Sequence, residues 1–140
     1  MSPLQTIAVG FDGSFDAEAA VRWAFELARQ VDADVVVVHA VGLLEHAADR
    51  GVAVELEQTV ERLTREAGID PARVHWHLAD GDPCSVLIRA VVAPVAADLL
   101  VVGSRGQGAH AGLLLGSTSL ELAEHAAVPV VIVPTGREGQ

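Results

Sequence analysis

The chain has 140 residues, 51% hydrophobic but only 4% aromatic, so it can bury a core without cross-links and must build it from Val, Leu, Ile and Ala. Its one cysteine, Cys84, excludes a disulfide framework and fits a reducing compartment, while a net charge of −10 argues against nucleic acid and acidic membranes as partners. None of its nine cations is a lysine, which excludes Schiff-base chemistry, a lysine general base and the GxxxxGK[ST] phosphate loop.

Met1 to Gln5 carries no basic residue, and no apolar run approaches the roughly 20 residues of a spanning helix, so a cytoplasmic protein is expected. Thr6 to Phe11 is a short apolar run that ends in Asp12-Gly13-Ser14, a turn and cap signal. From Ser14 a helix is predicted, with Asp16 and Glu18 in its first turn and Ala20, Val21, Ala24, Leu27, Ala28 and Val31 at helical spacing. Asp34 to Val41 contains four consecutive valines, apolar on both faces as a buried parallel strand should be. Leu43 to Asp49 reads as a loop and Gly51 to Ala67 as a helix stopped by Gly68. Arg73 to Ala79 alternates like a strand with one wetter face. Asp82-Pro83 opens a helix predicted to run through Val95, since proline suits a first turn. Asp98 to Val102 is a strand, Ser117 to Ala126 a helix, and Val130 to Val133 a last strand fenced by Pro129 and Pro134.

The order βαβαβαβαβ, with continuously apolar strands and no linker or repeat, predicts one α/β domain. Its architecture is a doubly wound, open five-stranded, mainly parallel sheet with helices on both faces. In such sheets ligands bind beyond the carboxyl ends of strands, where strand order reverses. Two strand exits carry glycine, at Gly10-Phe11-Asp12-Gly13-Ser14 and at Gly103-Ser104-Arg105-Gly106. If the first and fourth strands are neighbours, both loops line one crevice. Glycines admit close approach of main-chain N–H groups, and the hydroxyl cluster Ser117-Thr118-Ser119 opens a helix whose N-terminus favours anions.

Gly103, Gly106, Gly116 and Ser117 spell G-x2-G-x9-G-[ST]. By this spacing, by Val9-Gly10-Phe11-Asp12-Gly13-Ser14 and by the closing Val128-Pro129-Val130-Val131-Ile132-Val133-Pro134, the chain resembles the universal stress protein family, in its ATP-binding branch. The resemblance covers nearly the whole chain. It implies the layering of adenine nucleotide alpha hydrolase-like and flavodoxin-like folds, ATP as ligand, and phosphate contacts from Gly103, Arg105, Gly106, Gly116, Ser117, Thr118 and Ser119. Asp12 would take the ribose hydroxyls or an adenine edge, and Gly10 with Ala40 or Val41 would flank the base. A homodimer through Val130–Val133 is implied as well, which suits a short apolar edge strand.

Arg105 is the only cation between Arg89 and Arg137, so N–H groups, hydroxyls and Mg²⁺ must meet most of the phosphate charge. With no lysine and no evident base to activate water, no catalytic residue is expected, and ATP occupancy in a stress-response regulator fits better than rapid hydrolysis. An adenine-nucleotide hydrolase or transferase, and a nucleotide-free interaction module, are the rival readings. Residue by residue the plainer alternatives stay open: Asp12 as a turn or cap, Ser117 as an N-cap.

Gly106-Gln107-Gly108-Ala109-His110-Ala111 matches the dinucleotide fingerprint G-x-G-x-x-[GA] but sits at the wrong turn, and the acid at the required offset, Glu124, falls in mid-helix. His75 and His77 share a strand face but make a poor metal site without a third ligand. His39 stands at a strand exit near the crevice, His110 lies in the glycine loop, and Cys84 reads as a small buried residue.

Overall fold

The protein, as a computed structural model, is described over residues 3–41, 46–104 and 116–135, with 46–50 by backbone alone. Strand β1 spans Thr6–Gly10, helix α1 Phe15–Val31, β2 Asp34–Val41, α2 His46–Ala67, β3 Val74–Asp80, α3 Pro83–Arg89, β4 Leu99–Gly103, α4 Ser117–His125 and β5 Val130–Val133. The five strands form one sheet in the order β3-β2-β1-β4-β5, parallel throughout. Val9 lies between Val37 of β2 and Val101 of β4. The expected doubly wound α/β architecture is what forms.

The unbroken apolar runs follow from burial on both faces. Successive side chains point to opposite sides. Ile7, Val9, Val35, Val37 and Val101 therefore meet α1 and α2 through Val21, Phe25 and Leu63. Ala8, Val36, Val38, Leu100 and Val102 meet the other layer through Val86, Leu87 and Leu122. The start of the sheet is also pinned: Asp98 Oδ2 accepts the Gln5 and Thr6 N–H groups, each at 3.0 Å.

The helices begin where their caps dictate. Ser14 accepts the Ala17 N–H at 3.1 Å, and Asp82 accepts the Ser85 N–H at 3.1 Å ahead of Pro83. Gly68, at φ +70°, closes α2 in the left-handed conformation that glycine takes without steric cost.

Two helix bounds differ from the sequence expectation. The segment Leu43–Asp49 was expected to be a loop, yet α2 starts at His46; 42–45 lie outside the described residues. Ala47 and Ala48 are strong helix formers. Gly51, read as a boundary, costs only about 1 kcal/mol inside a helix, which the buried Val60 and Leu63 downstream offset. At the other place, α3 ends at Arg89 instead of Val95. Pro94 disfavours the helical conformation at Ala93, and the chain turns so that the Ala97 N–H reaches the Ala90 carbonyl at 2.8 Å.

Candidate nucleotide crevice

From β1 the chain moves to β2 and β3 on one side of the sheet, then crosses to β4 and β5 on the other. The switch point therefore lies between the exits of β1 and β4, where Gly10, Asp12 and Gly103 sit.

The two glycines face different layers. A Cβ on Gly10 would lie 3.0 Å from Leu87 Cδ1 and 3.5 Å from Val102 Cγ1, at the α3 side. A Cβ on Gly103 would fall 2.7 Å from the Asp16 carbonyl oxygen and 2.8 Å from its carbon. Backbone cannot yield as a side-chain tip can, so Gly103 is the residue that lets the first turn of α1 close onto β4. That use of the glycine is independent of any phosphate.

Asp12 is half-buried, and its Oδ1 accepts the Ser14 N–H at 2.9 Å, the turn geometry kept open above. The β1 and β2 exits are tied together. The Phe11 N–H donates to the Val38 carbonyl at 2.9 Å, and His39 Nδ1 lies 2.9 Å from the Phe11 oxygen. A carbonyl only accepts, so Nδ1 is the donor in this contact. The imidazole stacks beside Trp76, with centroids 6.0 Å apart and planes at 17°. Ala40 is half-buried, and Val41 is buried with its carbonyl accepting from the Gly81 N–H at 2.9 Å.

Across the crevice, Gly116 is the N-cap of α4 and Ser117 the first helical residue, so Ser117 is not the cap. Among the described residues no side chain caps this end, in contrast to Ser14 at α1 and Asp82 at α3. First-turn N–H groups have no intrahelical partner, and this end of α4 is tied to the β4 exit by the Gly116 N–H, which donates to the Ser104 carbonyl at 2.6 Å. Ser117 is exposed and Thr118 half-buried. Ser119 is buried, its hydroxyl 3.1 Å from both the Ser104 and Gly116 carbonyl oxygens, to which it donates. Arg105, Gly106 and His110 lie outside the described residues, as does the rival fingerprint at 106–111.

One residue escaped the sequence reading. Asp16 was expected to be a first-turn helix acid, but its side chain turns inward and is only 9% exposed. Its Oδ2 accepts the Ser104 hydroxyl at 3.3 Å, and its Oδ1 accepts the hydroxyl of Thr135. These partners are 88 and 119 positions away, and no local pattern announces them.

The remaining candidates fall elsewhere. Cys84 is buried, and desolvation, then the Glu121 charge, pushes its thiol pKa up, away from reactivity. His75 lies 3.5 Å from Asp34 Oδ2 on the β3 edge. Among the described residues no group of three or more His, Cys, Asp or Glu could hold a metal, and no helix is long and apolar enough to cross a membrane.

A five-stranded, all-parallel sheet with its switch point between β1 and β4 defines the class: a doubly wound α/β protein. The model of the universal stress protein family matches residues 3–134, and the chain belongs to that family. It is 32% identical over 138 residues to a universal stress protein of Mycolicibacterium smegmatis, an alignment covering 91% of this chain and 47% of the relative. A universal stress protein of Mycobacterium tuberculosis is 34% identical over 143 residues, covering 91% and 46%. The chain thus spans about half the length of these relatives. Among solved structures, a universal stress protein in complex with cAMP superposes with a TM-score of 0.73 at 30% identity, covering 94% of this chain and 98% of that one.

Proposed function

We propose that this chain binds an adenine nucleotide, with ATP and Mg²⁺ as the working ligand, in the crevice between the exits of β1 and β4. The observation that carries the reading is the first turn of α4, which starts against the β4 exit, with no side-chain cap among the described residues. Its N–H donors at Ser117, Thr118 and Ser119, with Gly106 and Arg105 before them, receive the phosphates, while Gly116, its N–H held by the Ser104 carbonyl, lets the ligand approach closely. The buried Ser119 contributes its N–H and not its hydroxyl, which the Ser104 and Gly116 carbonyls occupy. Asp12, whose charge would repel phosphate, takes the ribose or the adenine edge, and Gly10 with Ala40 and Val41 flanks the base. The related structure that holds cAMP supports an adenine ligand.

The role is a cytoplasmic stress-response regulator that reads nucleotide occupancy, acts as one domain and pairs through β5. The pairing is supported by the position of β5 at the sheet edge, with Val130, Val131 and Ile132 only half-buried. The absence of lysine and of an activating base supports holding phosphates over cleaving them. Mg²⁺ would neutralise phosphate oxygens, while the α4 donors orient them. Calorimetric titration with ATP, ADP, AMP and cAMP, with GTP as the contrast, tests the reading. Saturable binding of adenine nucleotides, with turnover below about 1 s⁻¹, is expected. No adenine-nucleotide binding overturns the reading, and rapid turnover replaces it with an enzyme.

A further inference from the structure

We propose that Asp16 is a positioning residue. Its buried carboxylate holds Ser104, whose carbonyl in turn holds Gly116 and Ser119, and so sets where the first turn of α4 stands against the β4 exit. Its consequence for ligand binding rests on the nucleotide reading above; the clamp itself does not.

Ser104 is the pivot. It is the first residue beyond β4, and its N–H donates to the Val133 carbonyl at 3.0 Å. Its carbonyl accepts the Gly116 N–H at 2.6 Å and stands 3.1 Å from the Ser119 hydroxyl. The point where the chain leaves the sheet and the point where it returns to a helix are therefore joined by one residue. Asp16 holds that residue from the α1 side through the Ser104 hydroxyl. Its second oxygen takes the hydroxyl of Thr135, two residues past β5.

The chemistry suits a carboxylate in particular. It is an acceptor at both oxygens, so it can gather two hydroxyl donors that arrive from different strands. Burying it requires such partners, and its place in the first turn of α1 adds the favourable end of a helix dipole. The approach is possible only because Gly103 has no Cβ: the Asp16 carbonyl oxygen occupies the place one would take, at 2.7 Å. Packing alone would be served by any small residue on this turn. The two directed hydroxyl contacts are what a packing role leaves unexplained.

The test is amide hydrogen exchange at Gly116 in the nucleotide-free protein, combined with ATP titration. In Asp16→Ala the Gly116 amide is expected to exchange about tenfold faster and ATP to bind about tenfold more weakly, the size of effect lost with hydrogen bonds to a charged group. In Asp16→Asn, whose amide oxygen accepts one hydroxyl while its NH2 donates to the other, both changes stay within about threefold. Leu63→Ala, on the buried face of α2, lowers Tm but leaves ATP affinity within about twofold, which separates positioning from general loss of stability.

Unchanged exchange at Gly116 in Asp16→Ala overturns the proposal. So does unchanged ATP affinity in a variant that exchanges faster. If Asp16→Ala does not fold, Ser104→Ala carries the same expectation and the same refutation. Faster exchange in a protein whose wild type binds no nucleotide upholds the clamp and sinks the nucleotide reading instead.

Discussion

Replacing Thr118 by aspartate drives stability and ligand binding in opposite directions. Thr118 is the second residue of α4, half-buried, in a first turn that contains no acidic residue, whereas the first turn of α1 has two. A carboxylate there meets the positive end of the helix dipole and stabilises the fold by about 0.3–1 kcal/mol, which raises Tm by a degree or more. A phosphate seated on the same N–H groups would lie roughly 5 Å from that carboxylate. At an effective dielectric constant near 20, two unit charges at this distance repel by about 3 kcal/mol, and salt screening leaves on the order of half. The expected loss of ATP affinity is therefore at least about tenfold. Thr118→Asn, neutral and of the same shape, serves as the control and should bind within about threefold of wild type. Thermal unfolding and calorimetric titration on the three proteins measure both effects. A higher Tm with unchanged ATP affinity would refute the reasoning, because the anion would then not sit on α4.

The two glycines with contrasting surroundings should respond with opposite signs. Gly103→Ala forces a Cβ against the α1 backbone and is expected to lower stability by about 1–3 kcal/mol. Gly51→Ala, in a helix with nothing within 4 Å, should raise it by about 0.5–1 kcal/mol; chemical denaturation checks both. The Asp82 carboxyl is held below its ordinary pKa by its hydrogen bonds to Ser85. A folded-state pKa lower than the unfolded one means that its contribution is complete above the unfolded value of 3.8 and disappears as pH falls through the folded value. The stability gap between wild type and Asp82→Ala should therefore close in strong acid, and a gap that persists there would count against the cap. Burial raises the Cys84 thiol pKa, so alkylation of the native protein at pH 7 should be much slower than after unfolding. Equal rates would contradict its burial.

The elements were legible because each carried its own signal. Ser14, Asp82 and Pro83 announce helix starts, and Val35 to Val38 announces a strand covered on both faces. The β2 and β5 limits match to the residue. Where local signals were weak or outweighed, the reading slipped. A polar stretch with Ala47 and Ala48 passed for a loop, and the apolar Val91-Val92 passed for helix although Pro94 ends it. At the proposed crevice, the spacing of Gly103, Gly106, Gly116 and Ser117 suggests an anion site but does not reveal what the described residues do in the fold. Gly103 is required by the approach of α1, and Ser119 spends its hydroxyl on two carbonyls. Neither fact has a local signature.

By itself the sequence determined the class, the element order and the two glycine-bearing exits, because periodicity, capping and turn chemistry act over a few residues. Only the tertiary structure decided the strand order that makes β1 and β4 neighbours, and with it the inward turn of Asp16. The contacts that join Asp16 to Ser104 and Thr135 span most of the chain. Such pairings exist only once the sheet has brought distant strand ends together, and burial then calls for a side chain able to satisfy both hydroxyls.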